Sequence, residues 1–179
     1  MQSEVMFAGF GGQGILLSGK ILAHAAMEEG YEVAWIPSYG PEMRGGTAYC
    51  LVVISDKPIG SPIIKNPKHL VAMNRPSLDK FAYAIKPGGV ILSNASLIPS
   101  PAGRSDVDEL RVQTGEIAAQ AGSAKAANIV ALSAFVARSG LVQLKTLKHC
   151  IEEEFSKRPQ LIPLNLKAME AGIAAAKKE

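Results

Sequence analysis

Cysteine is almost missing from this 179-residue chain: Cys50 and Cys150 are the only two, a hundred positions apart. Neither has a second cysteine or a histidine at ligand spacing, and His24, His69 and His149 are equally scattered. On spacing, the chain alone assembles neither a zinc site nor a four-cysteine iron–sulfur site, so no metal ligand is assigned and any redox chemistry has to sit elsewhere. Charge of one sign is scarce too. The net charge is +3, with 8 basic against 7 acidic residues up to residue 90 and 11 against 9 beyond it. That balance lacks the concentrated basic stripe of a nucleic-acid footprint. No apolar run approaches the roughly 18 to 20 residues that span a bilayer. The start, Met1 to Phe10, has no basic leader before an apolar stretch, so the expected location is the cytoplasm. No Ser/His/Asp, Cys/His or paired-carboxylate arrangement has supporting spacing, and no catalytic residue is assigned.

What is present is an ordinary globular composition, 47% hydrophobic and 20% charged, whose length fits a single domain over residues 1–179. Glu4 to Ala8 is a short apolar run ending in Gly9-Phe10-Gly11-Gly12-Gln13-Gly14. Ile15 to Glu28 then carries an apolar helical face through Ile15, Leu17, Ile21, Leu22 and Ala25. This is strand, glycine loop, helix, and Tyr31 to Pro37 completes a βαβ unit. Ser38 to Gly46 is a polar, glycine-rich connection, after which the apolar run Thr47 to Ser55 begins at once. A parallel crossover needs a dozen or more residues, so this third strand should run antiparallel to one of its neighbours. Further strands are expected at His69–Met73, Gly89–Ser93 and Val107–Gln113, with a helix at Pro76–Ile85 and loops over 56–67 and 97–106. Three helices are expected in the tail, Glu116–Ser139, Val142–Lys157 and Pro163–Lys177. The fold class is α/β: a three-layer, Rossmann-like, mostly parallel sheet with at least one antiparallel strand and a helical C-terminal segment packed on it.

Gly9, Gly11 and Gly14 match the G-x-G-x-x-G pattern in its proper context, after a strand and opening a helix. Glycines allow the backbone to approach a phosphate, and the free N–H groups and dipole of a helix start favour an anion. The acidic residue that a dinucleotide site places about 20 positions on is missing, because Pro37, Ser38 and Tyr39 stand there. A second reading is that the glycines only permit close packing of helix on sheet. The loop Ser38 to Thr47 follows strand two and should share the carboxyl edge of the sheet, where open α/β folds bind ligands. Tyr39, Glu42 and Arg44 give it a phenol, a carboxylate and a guanidinium, suited to a phosphate, a carboxylate or a partner chain. Asn74 and the pair Ser93-Asn94 close later strands on the same edge, as caps or as part of the crevice. His24 reads as a packing histidine, His149 as surface, and Cys50 and Cys150 as core.

Residues 9–14 (Gly-Phe-Gly-Gly-Gln-Gly), 38–47 (Ser-Tyr-Gly-Pro-Glu-Met-Arg-Gly-Gly-Thr) and 73–81 (Met-Asn-Arg-Pro-Ser-Leu-Asp-Lys-Phe) resemble the gamma subunit of 2-oxoacid:ferredoxin oxidoreductases. Residues 126–132 and 164–172 extend the resemblance over nearly the whole chain. It implies a multisubunit enzyme that decarboxylates a 2-oxoacid on thiamine diphosphate with Mg, passes electrons through iron–sulfur clusters to ferredoxin and makes an acyl-coenzyme A. It also implies alpha, beta and delta-type partner subunits, which hold those cofactors, and a gamma chain that is inactive in isolation. The form of the 38–44 loop points to a 2-oxoglutarate or branched-chain enzyme, with 2-oxoglutarate preferred and pyruvate open. Gly9, Gly11, Gly12, Gln13, Gly14, Ser38, Tyr39, Glu42, Arg44 and Asn74 are the expected coenzyme A-side residues. The competing expectation is a stand-alone nucleotide-binding module that self-associates, and the isolated gamma chain could itself form a homodimer.

Overall fold

The computed structural model describes residues 1–38 and 47–177; the expectations for Tyr39, Glu42 and Arg44 lie outside the described residues. Strand β1 (Gln2–Phe10) leads through the glycine loop into helix α1 (Ile15–Glu28), followed by β2 (Glu32–Ser38) and β3 (Thr47–Ser55). Next come β4 (His69–Ala72), α2 (Arg75–Phe81) with a 3-10 turn at Ala82–Ala84, β5 (Val90–Asn94) and β6 (Asp108–Val112). The remainder is helical: α3 (Thr114–Ala121), α4 (Ala127–Ser139), α5 (Leu144–Glu154) and α6 (Ile162–Ala176).

The six strands form one sheet in the order β2-β3-β1-β4-β5-β6. β1, β4, β5 and β6 are mutually parallel, whereas β3 is antiparallel to both of its neighbours, β1 and β2. The sequence anticipates one antiparallel pairing; the second arises because β3 inserts between β1 and β2. The β1-α1-β2 crossover is thus split, its two strands parallel but never paired. β1 is buried over Ser3–Gly9, which fits a central strand covered on both faces. Its side chains alternate: Val5 and Phe7 join the large core beneath α1, α4, α5 and α6, and Met6 and Ala8 join a smaller core beneath α2 and the loops.

The single helix expected over Glu116–Ser139 is in fact two. Gly122, at φ +128°, ends α3, and Ser123 then accepts a hydrogen bond from the Lys125 N–H at 3.2 Å, opening a 3-10 turn that runs into α4. A positive φ of that size is accessible to glycine and strained for other residues. The alanine-rich flanks carry a continuous helical period, and the Gly-Ser step alone marks the break.

Candidate functional site

The glycine loop sits at the carboxyl end of β1 and is held by one side chain. Gln13 Oε1 accepts from the Phe10 N–H at 2.7 Å and from Asn74 Nδ2 at 3.2 Å, while Gln13 Nε2 donates to the Met73 carbonyl at 3.3 Å. Asn74 Oδ1 in turn accepts from the Ser77 N–H at 2.9 Å and caps α2. Asn94, on β5, donates to the same Met73 carbonyl at 3.1 Å. One amide network therefore ties the ends of β1, β4 and β5 together. Gly14 is left-handed, φ +73°, and a Cβ there would press on the Asn128 side chain, whose Nδ2 lies 3.4 Å from the Gly14 carbonyl. The glycine loop is thus seated against the start of α4.

Two cavities open on this edge. One, about 390 Å³, is lined among others by Gly12, Gln13, Asn94, Ser96, Lys125 and Asn128. Its neighbour, about 250 Å³, shares Gly12, Lys125 and Asn128 and adds Ser123, Phe155 and Arg158. The N-terminal ends of α1 and α4 converge at the shared wall. Neither helix has a side-chain cap or an acidic residue in its first turn, so the positive ends of two dipoles go uncompensated by local carboxylates. Lys125 is exposed at the rim, and the Arg158 guanidinium lies 5.9 Å over the Phe155 ring. No carboxylate lines either cavity among the described residues. The arrangement is suited to an extended, multiply anionic ligand.

The expected residues divide on this geometry. Gly11 and Gly12 are exposed, and Gly12, Gln13 and Gly14 line the cavities. Gly9 and Asn74 are buried. They shape the loop from beneath: a Cβ at Gly9 would come within 2.7 Å of Gln13 Oε1 and of Ile15. Ser38 lies apart, in a separate cavity of about 370 Å³ with Ile36, Pro37, Tyr49, Ile63 and Phe81. Lys125, Asn128, Ser96 and Arg158 are the residues that sequence reasoning misses. The signal available was the Gly122-Ser123 step, which turns residues 124–128 from the middle of a helix into a helix start. His24, expected to be packed, is instead half-exposed, beside Glu28 and Glu153.

Cys50 and His69 are structural. Cys50 is buried beneath α1 and donates to the Ile15 carbonyl at 3.5 Å; burial pushes its thiol up to about 12, so it stays protonated and inert. His69 and Ser3 stand 3.1 Å apart but are buried at the opposite, amino edge of the sheet. An iron–sulfur cluster does not fit this chain, since each cysteine is buried and free and neither joins a group of ligands among the described residues. A Mg-bound diphosphate cofactor does not fit the two cavities either, which offer the metal no carboxylate. Among the described residues, no helix is long and apolar enough to cross a membrane.

Fold and site together define an α/β module with a glycine loop and two cavities on the carboxyl edge of a mixed sheet. The chain belongs to the pyruvate ferredoxin/flavodoxin oxidoreductase family, whose model matches residues 4–175. It is 43% identical over 177 residues to the ketoisovalerate oxidoreductase subunit VorA of Methanothermobacter thermautotrophicus, covering 98% of this chain and 36% of that one. The chain thus spans about a third of the length of that relative. The keto/oxoacid ferredoxin oxidoreductase gamma subunit from Geobacter sulfurreducens superposes with a TM-score of 0.83 at 32% identity, over 97% of this chain and 98% of that one. The 2-oxoglutarate:ferredoxin oxidoreductase from Magnetococcus marinus, with 2-oxoglutarate, coenzyme A and succinyl-CoA bound, gives a TM-score of 0.89 at 25% identity, over 99% of this chain and 31% of that one.

Proposed function

We propose that the chain is the gamma subunit of a heteromeric 2-oxoacid:ferredoxin oxidoreductase and that it supplies the coenzyme A side of the reaction. In this reading thiamine diphosphate, Mg and the iron–sulfur clusters reside on alpha, beta and delta-type partners. Those partners carry out decarboxylation and electron transfer to ferredoxin. The observation that carries the coenzyme A assignment is the convergence of two helix N-termini, neither with an acidic residue in its first turn, on Gly12, Lys125 and Asn128, between two adjoining cavities. The backbone N–H groups near Gly12 and Gly14 and the cations of Lys125 and Arg158 are the phosphate donors. The Magnetococcus enzyme, with coenzyme A bound, supports the choice of anion. Arg44, Tyr39 and Glu42 remain assigned to the same ligand from the sequence pattern. On substrate, the 43% identity to a ketoisovalerate oxidoreductase subunit, against 35% to the 2-oxoglutarate synthase subunit KorC of Methanocaldococcus jannaschii, moves the reading from 2-oxoglutarate to a branched-chain 2-oxoacid.

The test is copurification of the tagged chain from its native host, followed by coenzyme A-dependent ferredoxin reduction with a panel of 2-oxoacids. Ketoisovalerate should give the highest kcat/KM. In the assembled enzyme, Lys125→Ala with Arg158→Ala should raise KM for coenzyme A by about 10- to 100-fold, as loss of charge-assisted contacts worth ~1.5 to 3 kcal/mol requires. The kcat at saturating coenzyme A should hold within a factor of about 2, since these contacts persist unchanged into the transition state. An unchanged KM removes the coenzyme A assignment, and a chain that emerges alone removes the subunit reading.

A further inference from the structure

On the outer surface of α1 and α5, four side chains face one another. His24 and Glu28 are four apart on α1, and His149 and Glu153 are four apart on α5, so each pair occupies one face of its helix. The packing of the two helices brings the pairs together. His24 Nε2 lies 3.9 Å from Glu28 Oε1 and 3.7 Å from Glu153 Oε2, and His149 Nε2 lies 3.7 Å from Glu28 Oε1 and 3.7 Å from Glu153 Oε1. The result is a closed ring of alternating imidazole and carboxylate.

These separations are too long for hydrogen bonds. They fall a few tenths of an ångström beyond the ~3.3 to 3.4 Å that separates ligand atoms around a tetrahedral ion at ~2.0 to 2.1 Å. The donors of His24, Glu28 and Glu153 all lie within 4.8 Å of one another, and every ring nitrogen involved is the outer Nε2. Other charges nearby are committed elsewhere: Lys20 pairs with Glu154 at 2.8 Å, and Glu29 accepts the Gln143 N–H at 2.7 Å. Beneath the ring, close to Glu28, lies the buried Cys150 thiol.

We propose that His24, Glu28 and Glu153, with the exposed His149 ring turning in from α5 as the fourth ligand, form a four-coordinate site for a transition-metal dication of the zinc type. Two imidazoles and two carboxylates suit zinc and exclude magnesium and calcium, which take oxygen shells of six or more. The ion clamps α1, which carries the glycine loop at its other end, to α5, which leads into Phe155 and Arg158 of the second cavity. Residue spacing hides the site, because the two halves are 125 positions apart and meet only in the fold.

The test is titration of the metal-free full chain with Co²⁺ and Zn²⁺. One Co²⁺ per chain should bind with the intense visible bands of four-coordinate cobalt, be displaced by Zn²⁺, and withstand excess Mg²⁺; Zn²⁺ should raise Tm. His24→Ala and His149→Ala should each weaken binding by at least ~10-fold. Both positions are exposed, so the metal-free Tm should stay unchanged. Stoichiometric binding that survives the double variant overturns the proposal. So does a sulfur-to-cobalt band, which would report Cys150 or Cys50 as the ligand, and so does failure of Co²⁺ to bind.

Discussion

His69 shows how a single buried ring can set a pH dependence. Its Nδ1 accepts from the Val90 N–H at 3.0 Å, so that nitrogen holds no proton, and its Nε2 donates to Ser3 Oγ at 3.1 Å. The ring also stands edge-on to Phe135, centroids 5.5 Å apart. A second proton on Nδ1 would confront a backbone N–H. Burial, with Lys68 alongside and against the opposing pull of Glu4, pushes the imidazole from 6.5 down to about 4. Between those values the unfolded chain binds the proton and the folded chain does not. Stability is therefore fully present above about pH 6.5 and falls as pH drops toward 4, at up to ~1.4 kcal/mol per pH unit and ~2 to 3 kcal/mol in all. The carboxylates of Asp108, held low by the Arg138 hydrogen bond, and Glu116, held low by Ser96, act in the opposite charge sense and lose their contribution only at lower pH. Urea melts across pH 7 to 4 should show the decline, and His69→Gln should flatten it. A wild-type curve that is level over this range would refute the account.

At the scale of elements, the segments with a strong local signal were legible and those defined by distant partners were not. The apolar runs of β1, β3, β4 and β5 and the glycine entrance to α1 appear in the sequence within a residue or two of their observed bounds. Insertion of β3 between β1 and β2 was not legible, because strand order depends on pairing between remote segments. Part of the candidate site was lost with the α3–α4 break: Lys125 and Asn128 have no functional look inside a long alanine-rich helix. They acquire one only at a helix start facing Gly12 and Gly14. The α4–α6 packing has a similar hidden determinant in Gly172, where a Cβ would run into the Val130 carbonyl of α4. That neighbour is backbone and cannot swing aside. Gly172→Ala should therefore destabilise by ~1 to 3 kcal/mol, although alanine is the better helix former by ~1 kcal/mol. Chemical denaturation of the two proteins measures the difference, and a stabilised variant would show that the helices separate freely.

Over the whole molecule the two faces of the sheet are covered unequally. α1, α4, α5 and α6 bury one face in the large core, while the other has α2 and loop residues such as Ile59, Ile64 and Ile98 over a smaller cluster. The imbalance is greatest at the β2 edge, where Trp35 and Ile36 are more than a third exposed and Ile63 of the covering loop is 81% exposed. β1 and β4 stand at the middle of the sheet, paired on both sides and buried on both faces. Since local opening costs least where few buried contacts must be broken, the chain should unfold in steps from the β2 edge inward. Hydrogen exchange followed by mass spectrometry should find the amides of β1 and β4 exchanging only through global opening. Peptides covering β2 should exchange at least ~100-fold faster, corresponding to an opening cheaper by ~3 kcal/mol. Urea below its midpoint should speed β1 and β4 far more than β2, because global opening exposes much more surface than release of one edge strand. Equal rates in β2 and β1 would mean that the thin face is no weaker than the thick one, and that the sheet, despite its uneven cover, opens as one unit.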